Sequence, residues 1–241
     1  MVKVSRQEIT KFIAENIPEF HRKRLEKLSG FKLRLVLCRK NPYLFKAKNI
    51  ETAEALVRQL LDAYLSSQEE TIFGDFPESL AIHVCDCAFK GRKSSTEGID
   101  LEFDRAGARY LISVKSGPNW GNSSQIKKMR DNFRQARRIL GTRKHAIAVN
   151  GCCYGREVSD HGDYQKICGK AFWELISGDS QLYVEIVDPL GHDTRQRNEA
   201  FGKEYAKVVN QFTREFINEF CSADGAIDWS KLVVFNSGTA P

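Results

Sequence analysis

Residues 98–117, GIDLEFDRAGARYLISVKSG, constrain the fold more than any other stretch of the chain. Ile99, Leu101 and Phe103 alternate with Asp100, Glu102 and Asp104, the two-residue period of a half-buried strand. Arg105-Ala106-Gly107-Ala108 suits a tight connection. Tyr110, Ile112 and Val114 then alternate with Leu111, Ser113 and Lys115 on a second strand. Strands joined this closely pair as an antiparallel hairpin. The alternation puts Asp100 and Lys115 on neighbouring strands, both pointing away from the apolar face.

Helices surround this hairpin in the sequence pattern. Residues 5–28 carry Ile9, Phe12, Ile13, Ile17 and Phe20 at helical spacing, with Pro18 expected to kink or break the run. A second helix is expected at 50–66, where Ala53, Leu56, Val57, Leu60, Leu61 and Tyr64 form one stripe. A third is expected to begin near Pro77 and run through SLAIHVCDCAF. After the hairpin, SGPNWGNSS breaks the pattern, and 123–140 reads as an amphipathic helix with Ile126, Met129, Phe133, Ala136 and Leu140 on one face. HAIAVNG, 145–151, and LYVEIVDPL, 182–190, read as further strands. Phe201, Tyr205, Val208, Val209, Phe212, Phe216 and Phe220 mark a closing helix, whose aromatic stripe suits a core or a subunit interface. The order implies an α/β fold, a mixed sheet flanked by helices. Without repeats, low-complexity tracts or long linkers, one domain spanning 1–241 is expected.

Composition excludes several classes. No apolar run approaches the ~20 residues that span a bilayer, and MVKVSRQEITKF is charged where a signal peptide needs its apolar stretch. A cytoplasmic protein is expected. The seven cysteines show no CxxC pair or regular spacing, so nearly all are expected to be buried small hydrophobes rather than disulfides or zinc ligands. Cys85 and Cys87 on a helix point in different directions. No GxxxxGK loop indicates a nucleotide-driven motor. The formal net charge of +6 is compatible with polyanions without specifying one.

Asp100 and Lys115 meeting at one end of a sheet suit metal-assisted phosphodiester hydrolysis. The carboxylate would hold Mg²⁺ through oxygen, and the ammonium would orient water or stabilise charge on phosphorus. The plainer reading is a cross-strand ion pair worth ~1 kcal/mol or less.

GID, a short hairpin, then VK at the end of the next strand resembles the core of the PD-(D/E)XK nucleases, which include many type II restriction endonucleases. The preceding helix, the following basic helix and HAIAVNG extend the resemblance over about residues 69–151. SVKSGPNWGNSSQ, NPYLFKAKN and CGKAFWELISGD are similar to segments of a restriction-endonuclease subgroup. The resemblance implies a restriction-endonuclease-like core, Mg²⁺ as cofactor, double-stranded DNA as substrate and a homodimer matching a palindromic site. One departure is plain: Ser113 stands where the family's acidic residue precedes the lysine by two positions. Glu78, on the helix before the hairpin, is the first candidate to replace it, followed by Glu102, with Glu70 and Glu97 behind. The main-chain carbonyl of Val114 is a further metal contact to consider. Glu78 has an alternative role, complementing the positive end of a helix starting at Pro77.

On the helix 123–140, Lys127, Arg130, Arg134, Arg137 and Arg138 form a face that Asp131 alone cannot neutralise. Beside a nuclease centre, that face and Lys128 suit DNA phosphates. Asn119, Trp120, Asn122 and Gln125 border it. Asn and Gln can read adenine edges but also cap helices, and Trp120 suits packing better than base stacking. Arg156, His161, Arg195, Arg197 and Asn198 are more distant candidates for groove contacts. Three readings stay open: a restriction endonuclease, a repair or junction nuclease on the same core, and a catalytically inactive DNA-binding protein.

Overall fold

In the computed structural model, which describes residues 4–141, 145–191 and 194–238, the alternating segment folds as the hairpin its pattern specifies. β1 (Leu101–Arg105) pairs antiparallel with β2 (Ala108–Lys115), Leu101 opposite Ile112 and Arg105 opposite Ala108. The two-residue turn needs positive φ at both central positions, supplied by Ala106 at 50° and Gly107 at 79°. β3 (His145–Cys152) lies parallel to β2, and β5 (Gln165–Cys168) lies parallel to β3. β4 (Val158–Asp160) closes the edge antiparallel to β5, giving a five-stranded mixed sheet in the order β1-β2-β3-β5-β4. The α/β architecture with a mixed sheet and flanking helices is therefore present.

The helices are α1 (Arg6–Ser29), α2 (Leu33–Cys38), α3 (Pro42–Ala47), α4 (Ala53–Phe89), α5 (Ser123–Leu140), α6 (Gly169–Ser177), α7 (Leu182–Glu185), α8 (Val187–Gly191), α9 (Thr194–Phe220) and α10 (Trp229–Ser237). The chain divides into two compact units. One comprises residues 1–18 and 73–192 and contains the sheet; the other comprises 19–72 and 193–241 and is helical.

In the sheet unit both faces of the hairpin are covered. Leu111 and Ala148 pack with Met129, Phe133 and Ala136 of α5. The opposite face carries Leu101, Phe103, Ile112 and Val114, all buried, with Phe89 at the end of α4 stacked on Phe103. On that side Gly151 of β3 lies under Phe172 of α6, and a Cβ at Gly151 would stand 2.3 Å from the ring. The expectation of a single apolar face is thus corrected. A central sheet with parallel pairs is buried on both sides.

The helical unit has its own core. Leu28 of α1, Val36 and Leu37 of α2, Phe45 of α3, Leu56, Val57, Leu60 and Leu61 of α4, and Phe212, Phe216 and Phe220 of α9 pack together. The stripe anticipated in the closing helix is the inner face of α9.

Pro18 lies inside α1 without ending it, so of the kink or break expected there the break does not occur. Two element predictions need correction. Pro77 does not begin a helix, because the segments expected at 50–66 and from Pro77 are one 37-residue helix, α4. An interior proline costs about 3 kcal/mol, and burial of Phe76, Leu80, Ala81, Val84 and Cys85 around it offsets that cost. LYVEIVDPL is not a strand but forms α7 and α8. Leu182 and Ile186, four apart, are buried while Tyr183, Val184 and Val187 are exposed, so the true period is helical.

Fewer of the cysteines are buried than expected. All seven are free; Cys85, Cys152 and Cys168 are buried, Cys87, Cys153 and Cys221 half-buried, and Cys38 exposed. Among the described residues, no helix is long and apolar enough to cross a membrane.

Candidate active site

Along the face covered by α5, exposure rises toward the C-terminal end of β2. Leu111 and Ser113 are buried, whereas the Lys115 side chain is 29% exposed and that of Asp100 is 22% exposed. A site therefore opens where β2 ends, as ligand sites do at the carboxyl ends of strands in open α/β sheets.

Asp100 precedes β1, and its main-chain N–H donates to the Ile112 carbonyl at 2.8 Å, extending the hairpin by one residue. Its carboxylate turns toward β2. Asp100 Oδ2 accepts the Val114 N–H at 2.7 Å and the Ser113 hydroxyl at 3.3 Å, and Lys115 Nζ stands 3.7 Å away. The carboxylate is thus fixed by backbone, hydroxyl and ammonium together. Lys115 is also 5.1 Å from the centre of the Trp120 ring. Trp120 packs against the cluster of Ile99, Leu111, Met129 and Phe133, which makes it a wall of the site.

The end of β2 is held by the neighbouring strand. Cys153 N–H donates to the Lys115 carbonyl at 2.9 Å, and Tyr154 N–H to the Ser116 carbonyl at 3.2 Å. The Tyr154 ring lies over Gly117, where a Cβ would stand 2.1 Å from it and oblige the ring to shift.

Glu78 of α4 faces the same centre. Burial pushes its carboxyl above the ordinary glutamate range, and the charge of Asp100 adds to the rise; Lys93 and Lys115 act against it. Lys93 Nζ lies 3.6 Å from Glu78 Oε1. The Cys153 thiol, raised to about 12 mainly by burial and further by Glu78, stays neutral. Glu78 is thus paired with Lys93 and lies within electrostatic reach of Asp100 and Lys115. Glu78 lies well inside α4, so the role of complementing a helix start at Pro77 does not hold.

Other acidic candidates lie elsewhere. Glu102 is buried and engaged by Arg92 at 2.7 Å and Arg109 at 2.9 Å. Glu97 is exposed and pairs with Lys128 at 3.3 Å. Glu70 belongs to the helical unit, not to the unit that holds Asp100. Among the described residues, no group of three or more His, Cys, Asp or Glu side chains converges as a metal site. The donor chemistry at Glu78 and Asp100 nevertheless fits Mg²⁺, which takes hard oxygen and is held by one or two carboxylates plus substrate phosphates.

The flanking polar residues divide by what engages them. Asn122 caps α5, its side chain accepting from Ser124 and Gln125 N–H groups at 3.1 Å each, and the Gln125 side chain returns a bond to Asn122 N–H at 2.9 Å. Both are committed to a capping box. Arg130 pairs with Asp163 at 2.6 Å, and Arg134 with Asp131 at 2.7 Å and Asp163 at 3.9 Å. The expectation that Asp131 stands alone is corrected, since the fold brings Asp163 to the same face. Asn119, Lys127 and Lys128 are exposed. Lys93 was missed in the sequence because it lies in the connection after α4, outside any periodic element. Only its contact with Glu78 reveals it.

A family model described as type II restriction endonuclease EcoO109I matches residues 7–198, most of the chain. The chain belongs to that family. This endonuclease is a site-specific deoxyribonuclease, and of the three readings its sequence left open, membership selects restriction. No curated protein matches the chain. The family acts on DNA.

Proposed function

We propose that this endonuclease cuts both strands of a specific short duplex sequence in a Mg²⁺-dependent reaction, as a cytoplasmic homodimer, with residues 1–241 acting as one endonuclease domain. The observation that carries this reading is the fixed Asp100–Lys115 pair, 3.7 Å apart at the open end of β2, with Glu78 beside it.

Asp100 and Glu78 would hold Mg²⁺, the carbonyl of Val114 being a further oxygen within the same segment. When bound, the ion polarises the scissile phosphate and lowers the pKa of water. Asp100 enters the reaction already oriented by Val114 and Ser113. Ser113, in place of the family's acid, positions the carboxylate and leaves the second acidic role to Glu78. Lys115 holds the attacking water and stabilises negative charge gathering on the phosphorus oxygens. Trp120 limits solvent around its ammonium. Lys93 neutralises Glu78 in the free protein.

For DNA contact, Asn119, Lys127 and Lys128 offer exposed polar groups beside the site. Arg130 and Arg134 reach phosphate by exchanging Asp163 for it. Asn122 and Gln125 support the interface by fixing the start of α5, and Trp120 by fixing Lys115.

The test is plasmid cleavage with Mg²⁺. Wild type is expected to give discrete fragments. Asp100→Asn and Lys115→Ala should each lower the rate by at least about 10²–10³-fold, the scale seen on removing one group that stabilises transition-state charge. Lys115→Ala should keep most of its DNA affinity. Cleavage by Asp100→Asn at the wild-type rate would sink the assignment.

A further inference from the structure

The helical unit contains a concave surface of about 690 Å³ lined by Arg22, Lys23, Lys27, Lys32 and Arg39, with Glu26 as its acid. All these residues belong to that unit. Phe31 and Tyr64 form an aromatic part of the lining, their rings edge to face at 4.8 Å.

The charges are unevenly compensated. Arg22 is occupied by Glu19 and Glu26, and Lys23 lies 3.9 Å from Glu19. Among the described residues, Lys27, Lys32 and Arg39 form no ion pair with a carboxylate. Arg39 donates to the Tyr64 hydroxyl at 2.8 Å, which aims its guanidinium and leaves other N–H donors available. Three cations thus line a concavity with no acid of their own.

Their arrangement identifies the ligand class. Lys32 is the N-cap of α2 and Arg39 its C-cap, so the pair brackets six helical residues. Seven residue steps at helical rise separate their backbones by roughly 10 Å. One DNA strand covers that distance in about three steps of ~3.4 Å along the axis. Cations strung along a groove suit successive phosphates better than one compact anion, which needs converging donors. We infer that this groove is a second DNA-binding site, sequence-independent, that holds the phosphodiester backbone of duplex DNA through Lys27, Lys32 and Arg39. The inference rests on DNA being the substrate and extends it to a unit that lacks the Asp100–Lys115 pair.

Contacts of this kind release counterions, about 0.9 per phosphate in the logarithmic salt dependence. The test measures binding of a duplex of arbitrary sequence without Mg²⁺, by fluorescence anisotropy, across a series of salt concentrations. Lys27→Gln/Lys32→Gln/Arg39→Gln should make the slope shallower by about 2–3 and weaken binding at least tenfold. A control with the same charge change in the same unit, Lys203→Gln/Arg214→Gln/Lys231→Gln, should leave the slope unchanged. Because Arg39→Gln also removes the bond to Tyr64, Lys27→Gln/Lys32→Gln is measured alongside, with an expected loss of slope of about 2. Equal slopes for groove and control variants overturn the inference. So does a groove variant that changes the sedimentation coefficient but not DNA binding, which would make the surface a subunit contact, or one that loses only inorganic phosphate binding. Asp100→Asn is expected to keep the full slope while losing cleavage, so failure of the groove and failure of the catalytic reading give different results.

Discussion

Glu78 is the residue on which the departure at Ser113 turns. Its carboxyl is raised by burial first and by Asp100 second, while its unfolded reference lies near 4.5. In this window the folded state binds more protons than the unfolded state, so the group's stabilising effect is complete below the reference value. It is lost as pH rises through the folded value. Glu78→Gln removes that loss. Without Mg²⁺, the variant is expected to melt higher than wild type at pH 7, with the gap closing as pH falls toward 4. Mg²⁺ should raise the melting temperature of wild type and do so much less in Glu78→Gln, since a ligand that binds only the folded state stabilises it in proportion to affinity. Equal Mg²⁺ shifts in the two proteins would exclude Glu78 as a ligand. The juxtaposition of Asp100 and Lys115 was legible from alternation, whereas their catalytic role was implied by the resemblance to the nuclease core. Glu78 was legible only as one acid among several, because proximity to Asp100 is set by how α4 meets the hairpin.

Among the elements, α5 connects sequence to site most directly. Its capping box fixes the start of the helix just after the Lys115 loop, and Met129, Phe133 and Ala136 seat it on the sheet. Asn122→Ala is expected to cost about 1 kcal/mol, the usual loss of a cap, and Phe133→Ala about 3–5 kcal/mol, both measured by denaturant unfolding. The capping variant should also lower cleavage more than DNA affinity, because Trp120 and Lys115 lose their fixed frame. The hairpin, α5 and β3 were readable because their periods are unbroken. The single helix α4 was not, since Pro77 is a strong local stop signal that only tertiary burial overrides. LYVEIVDPL failed for the converse reason: branched residues favour a strand, but which of them are buried is decided by packing at Leu182 and Ile186. Likewise, Asp163 pairs with Arg130 of α5 from 33 residues away, beyond any local pattern.

At the scale of the whole molecule, the inferred groove would add a DNA contact in the helical unit to those proposed on α5 beside the catalytic pair. The sheet unit contains the carboxylates and Lys115; the helical unit contains the basic groove. A homodimer would present two catalytic centres to the two strands of a palindrome, as two-fold symmetry in protein and site requires. The most direct measurement is sequencing of the ends produced when the purified protein digests genomic DNA with Mg²⁺. The account predicts that all ends share one short palindromic sequence and one cut position on each strand, and that Asp100→Asn yields none of them. Ends scattered without a common sequence, or the same ends from Asp100→Asn, would contradict it.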